Sequence, residues 1–69
     1  MKYIVIELQT ENGTTSTLTY SFDTVAQAEQ KYYQILSFAV VSEVDVHGAV
    51  IMDNTGFVLK NECYKHISE

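Results

Sequence analysis

The side chains able to do chemistry in this chain are few: two histidines, one cysteine, five tyrosines, four lysines and nine carboxylates. His47 set opposite Glu62 across two paired strands would be an imidazole oriented by a carboxylate, the arrangement of a general base. No nucleophile, oxyanion loop or glycine-rich turn accompanies the pair. Its expected role is a cross-strand contact, with a small enzyme using His47 and Glu62 as acid and base as the alternative. Cys63 and His66 have a spacing found within metal motifs, but no second pair joins them. On a strand, residues three apart point to opposite faces and cannot converge on one ion. Cys63 is therefore expected as a small buried hydrophobe, and neither a metal nor a cofactor is expected. Zinc shared between subunits through His47 and His66 is the one metal arrangement left. Tyr20 and Tyr32 suit a core with their hydroxyls at its rim, whereas Tyr3, Tyr33 and Tyr64 suit an interface. Lys60 and Lys65, near those tyrosines, are the cations available to a small anionic ligand.

The charge balance narrows the partners. Net charge is −5, and every basic residue is a lysine: Lys2, Lys31, Lys60 and Lys65. Without arginine or a basic cluster, binding to a nucleic-acid polymer or an anionic membrane is disfavoured. The carboxylates are scattered along the chain rather than aligned, which also disfavours mimicry of nucleic acid. A single cysteine allows no intramolecular disulfide, which fits a reducing cytoplasm. No secretory signal pattern opens the chain, and its apolar runs are too short to cross a bilayer. Hydrophobic residues make up 46% of the 69, too many for a disordered segment. The expectation is one domain, residues 1–69, at a length where burial is marginal unless copies associate.

These side chains must be positioned by short elements. Lys2 to Gln9 and Ser16 to Phe22 alternate with a period of two and read as strands, with Asn12-Gly13 between them as a hairpin signal. A two-residue turn would set Ile6 opposite Thr19 and Val5 opposite Tyr20. A three-residue loop of Glu11-Asn12-Gly13 shifts the register, so that Ile6 faces Leu18 and Ile4 faces Tyr20. Burial favours the second, because it gathers the aliphatic residues on one side. Asp23 or Thr24 caps a helix from about Val25 to Val40, with Thr24 and Gln27 as a capping box. Val25, Ala28, Tyr32, Ile35, Leu36 and Ala39 share one face, and Ala26, Tyr33 and Val40 widen the apolar sector around Glu29. Val44 to Met52 is a third strand and Phe57 to about Ile67 a fourth, joined at Asp53-Asn54-Thr55-Gly56. A four-residue turn there would pair Met52 with Phe57, Val50 with Leu59, Val46 with Cys63, His47 with Glu62 and Ala49 with Lys60.

The order strand, strand, helix, strand, strand predicts an α+β, two-layer ββαββ fold. A four-stranded antiparallel sheet in the order 2-1-3-4 puts the most apolar strands in the centre, with one helix on one face. The helix is expected over Ile4, Ile6, Leu8, Leu18, Tyr20, Val44, Val46, Val50 and Leu59. The other face would then lie open, showing Tyr3, Val5, Glu7, Asp45, His47, Ala49, Ile51, Val58, Lys60, Glu62, Tyr64 and His66. An uncovered sheet face of this kind is an association surface.

The opening Met1-Lys2-Tyr3-Ile4-Val5-Ile6-Glu7-Leu8-Gln9-Thr10 and the closing Glu62-Cys63-Tyr64-Lys65-His66 resemble a group of short proteins from gut Gram-positive bacteria and their phages and prophages. No activity is assigned to that group. The resemblance implies only context: a cytoplasmic protein of mobile-element type, with no site residues to carry over. The resulting expectation is a non-catalytic homo-oligomer that blocks a host protein or sequesters a small ligand, such as a signalling nucleotide, at a subunit interface. The interface or ligand candidates are Tyr3, Val5, Tyr33, His47, Ala49, Ile51, Lys60, Glu62, Tyr64, Lys65 and His66. A structural or assembly subunit is a further alternative.

Overall fold

Alternating strands and one amphipathic stretch assemble as their order predicts. In a computed structural model describing residues 2–66, the elements are β1 (Tyr3–Glu11), β2 (Thr14–Phe22), α1 (Val25–Ala39), β3 (Val46–Asp53) and β4 (Val58–Lys65). All neighbouring strands are antiparallel, and the sheet order is β2-β1-β3-β4. The third strand starts two residues later than expected. The fourth is expected to reach Ile67, which lies outside the described residues.

The first hairpin corrects the expected register. Asn12 and Gly13 both take positive φ, 53° and 79°, and form a two-residue turn. That is the type I′ geometry, whose twist matches the strands it joins and whose preferred sequence is Asn-Gly. Val5 therefore pairs with Tyr20 and Ile6 with Thr19, not with Leu18. Turn chemistry decides because β1 is apolar on both sides, so either register buries a hydrophobic set.

The second hairpin is corrected too. Gly56, at φ 92°, ends a three-residue turn in which the Asp53 N–H donates to the Phe57 carbonyl at 3.0 Å. Asp53 Oδ1 accepts from the N–H groups of Thr55 and Phe57 at 2.8 and 3.2 Å and from the Thr55 hydroxyl. These donors hold the exposed Asp53 carboxylate below its usual pKa, the Thr55 hydroxyl most of all. Met52 then pairs with Val58, and a register shift beside Ile51 leaves Leu59 as the extra residue. His47 consequently faces Tyr64, and Glu62 faces Ala49; Val50 pairs with Asn61 and Val46 with Lys65.

The helix begins where Thr24 Oγ1 accepts the Gln27 N–H at 3.2 Å. Ala28, Tyr32, Ile35 and Ala39 are buried, and Leu36 packs beside them. Val25 is exposed at the first turn, so the buried stripe starts one turn later than its spacing suggests.

The two faces of the sheet are exchanged relative to the expectation. The helix packs on Val5, Ala49 and Ile51, with Tyr3, Tyr20 and Phe22 at the margin of this core. His47 is also buried on that side, at 5% exposure. Ile4, Ile6, Leu8, Val46, Val50 and Met52 alternate to the other face, where they are only part-buried. No second layer lies over them among the described residues.

Candidate functional site

Three surfaces hold the residues that the sequence singles out. The first is the open face. Ile4, Ile6 and Leu8 of β1 lie across from Met52, Val50 and Gly48 of β3. Gly48 in turn faces Cys63 of β4. A Cβ added at Gly48 would stand 2.8 Å from both Cys63 Cβ and the Glu62 carbonyl oxygen, so only glycine lets the strands close here. Cys63, expected to be buried, is exposed on this face because β4 is an edge strand with nothing over it among the described residues. The β2 side contributes Thr15, Thr17, Thr19 and Ser21 by the same alternation. Among strand residues of this face, Lys65 at a corner is the only charged one.

The second surface is a groove of about 550 Å³ between the flank of α1 and β4. Tyr33, Leu36 and Val40 form its helical wall; Lys60, Glu62 and Tyr64 form its floor. Four of the expected site residues, Tyr33, Lys60, Glu62 and Tyr64, thus come together. The Lys60 ammonium is already engaged: Nζ donates to the Tyr33 hydroxyl at 2.6 Å and to Glu29 Oε2 at 3.0 Å. Those two contacts, the tyrosine's first, push the Lys60 pKa upward. Burial likewise pushes the Tyr32 phenol up, with Glu62 adding to the effect. Lys65 does not join Lys60, because its strand position points to the opposite face. The two lysines therefore form no shared anion cleft within one copy.

The third is buried. His47 Nε2 lies 2.6 Å from Glu7 Oε2, and Gln9 Nε2 donates to the same carboxylate oxygen at 3.1 Å. The carboxylate beside His47 is therefore Glu7 from β1, not Glu62 from β4. The two-residue register slip between β3 and β4 moves Glu62 away, and the exchange of faces encloses the remaining pair beneath the helix. Both side chains are largely enclosed, at 6% and 14% exposure. His47 Nδ1 has no hydrogen-bond partner among the described residues.

Val5, Ala49, Ile51 and His47, expected on an open association face, are thus core residues, and Tyr3 is packed against that core. His66 is taken up by the helix: its Nε2 bonds the Ala39 carbonyl oxygen at 2.8 Å. The same oxygen accepts the Ser42 N–H at 3.3 Å, so His66 is a second partner for a carbonyl at the helix C-terminus. His66 and Cys63 lie on opposite faces, as their spacing requires. Among the described residues, no group of three or more His, Cys, Asp or Glu side chains could hold a metal ion. No helix among them is long and apolar enough to cross a membrane.

The residues missed by sequence reasoning are apolar. Ile4, Ile6, Leu8, Val46, Val50 and Met52 make the part-buried surface of the open face, and exposed Phe38 and Val41 stand out beyond the helix sector. An isolated glycine inside a strand, Gly48, was the available sign of close backbone approach at this face. The chain matches no family model, no curated protein and no solved structure.

Proposed function

We propose that this chain is a non-catalytic binding protein that works as a homo-oligomer, with the open face of its sheet between copies. The observation that carries this is the face itself: aliphatic, almost free of charge, and uncovered among the described residues, in a chain of net charge −5. Depletion of charge around aliphatic side chains is characteristic of an interface core. Two such faces meet without like-charge repulsion. Support for a role without catalysis comes from His47, which is enclosed beneath the helix and bonded to Glu7 rather than presented to a cleft.

The surface that remains for a target is at the end of the helix. Phe38 and Val41 are 63% and 76% exposed, with Tyr33 and Val40 on the adjoining flank. A protein target presenting an apolar patch suits it, in keeping with a mobile-element product that blocks a host component. The existing partners of Lys60 weigh against an anionic ligand in the helix–β4 groove.

Light scattering after size exclusion tests the assembly. The expected result is a mass at least twice that of the 7.8 kDa chain. Val50→Asp is expected to give a folded protein of lower assembled mass than wild type, since it places a charge in the middle of the face. A wild-type monomer at about 100 µM would overturn the proposal, because interfaces of useful strength bind well below that concentration.

A further inference from the structure

The two edges of the sheet are unlike, and the difference identifies a second contact between copies. Strand edges carry free N–H and C=O groups, and proteins normally guard them with charges, bulges or a covering element. β4 is guarded in several of these ways. It carries Lys60, Glu62 and Lys65, and its ladder is broken by the shift beside Ile51. The Glu62 carboxylate also turns onto its own strand and accepts the Cys63 N–H at 3.1 Å. β2 has none of this. Its nine residues include no charged side chain, and it pairs with β1 without interruption from Thr14 to Phe22.

The orientation of its free groups follows from the turn. Glu11 and Thr14 flank the two-residue turn and so form a hydrogen-bonded pair. Alternation along an antiparallel ladder then directs Thr14, Ser16, Leu18, Tyr20 and Phe22 toward β1. The backbone groups of Thr15, Thr17, Thr19 and Ser21 point outward. None of them has a hydrogen-bond partner among the described residues.

We propose that β2 pairs antiparallel with β2 of a second copy about a two-fold axis at Leu18, joining two sheets into one of eight strands. In this register Thr17 meets Thr19 of the second copy, and Thr15 meets its Ser21. All outward backbone groups of both edges are then used. Leu18, 54% exposed on the helix side, meets its own symmetry mate. The nearest cation, Lys31, rests over the Tyr20 ring at 4.3 Å from its centroid. Tyr20 is two residues from the axis, so the two copies of Lys31 are separated by more than a Debye length, roughly 8 Å.

Area supports the same pairing. Eight residues by four strands cover roughly 500 Å² of sheet, short of the ~800 Å² that each partner contributes to a typical stable interface. Joining two copies edge to edge doubles the open face to roughly 1,000 Å². The inference rests on the reading of the chain as self-associating, and names how the large face is built.

Cysteine crosslinking separates the two. Paired non-hydrogen-bonded residues lie close enough for a disulfide. In a Cys63→Ser background, Leu18→Cys is expected to crosslink to a dimer in the majority of molecules under mild oxidation. Thr14→Cys, far from the axis, is expected to remain mostly monomeric on denaturing gels. Leu18→Lys should weaken edge pairing about tenfold or more by setting two ammonium groups together, while circular dichroism stays unchanged. Absence of a Leu18 crosslink, with wild-type oligomers unaffected by Leu18→Lys, overturns edge pairing and leaves association through the sheet face standing. A monomeric wild type overturns both.

Discussion

His47 has one hydrogen-bond partner and one bare nitrogen, and this asymmetry suggests its tautomer. With the proton on Nε2 the ring donates to Glu7, and the unpartnered Nδ1 presents a lone pair rather than an N–H to its surroundings. An unmatched acceptor is the more tolerable of the two in a protein interior. His47→Ala leaves the enclosed Glu7 carboxylate with Gln9 as its remaining partner, and a loss of about 1–3 kcal/mol in urea unfolding is expected. The pair is best measured as a double-mutant cycle with Glu7→Ala. A coupling of about 1 kcal/mol is expected, and strictly additive single changes would show that the contact contributes nothing. Gly48 is the other residue whose identity is dictated by geometry. Gly48→Ala would drive a methyl group into Cys63 Cβ and the Glu62 carbonyl, so an overpacking loss of about 1–3 kcal/mol is expected in the same assay. Wild-type stability in that variant would mean that β3 and β4 can separate without cost.

At the scale of elements, each hairpin takes a turn one residue shorter than expected, and each change has a local cause. Asn12-Gly13 forms the two-residue turn because both residues accept positive φ, and Gly13→Ala should cost about 1 kcal/mol at φ 79°. Asp53 organises the other turn through three donors, and its depressed pKa gives that turn a pH dependence. A carboxylate with a native pKa below its unfolded value, about 3.9, contributes fully above that pH. The contribution is lost as pH falls through the native pKa. Unfolding curves between pH 5 and pH 2 should therefore fall less steeply for Asp53→Asn than for wild type; parallel curves would remove Asp53 from the acid response. The strand order was legible in the sequence because the relative apolarity of strands distinguishes centre from edge. Faces were not, because Tyr3 and Val5 compete with Ile4, Ile6 and Leu8 on nearly equal terms. Periodicity located the alternation and left its sign to the Asn12-Gly13 turn. The β4 shift by two keeps Lys60, Glu62 and Tyr64 together on one face, but they meet Tyr33 only because that face, expected to lie open, is the one the helix covers.

For the whole molecule, the question is how so small a core holds a fold together. Among the described residues, the buried hydrophobic ones are Val5, Ala28, Tyr32, Ile35, Ala39, Ala49 and Ile51, three of them alanines. That is little for a chain of this length, and the aliphatic set of the open face is as large again but gains only partial burial within one copy. If the second set is buried between copies, folding and assembly share one equilibrium, and stability must rise with concentration. For a dimer, a tenfold increase in protein adds about 1.4 kcal/mol per dimer, hence about 0.7 kcal/mol per chain. At roughly 4–8 °C per kcal/mol for a domain of this size, Tm should climb by about 3–6 °C for each tenfold step. Thermal unfolding followed by circular dichroism from low micromolar to several hundred micromolar protein checks this. Val50→Asp should weaken the concentration dependence while preserving a cooperative transition at lower temperature, because it removes association through the open face and leaves the helix-side core of Val5, Ala49 and Ile51 in place. A wild-type Tm that stays constant across that range would mean that the helix-side core alone sustains the fold, and that the exposed face of Ile6 and Val50 contributes nothing to stability by meeting another copy.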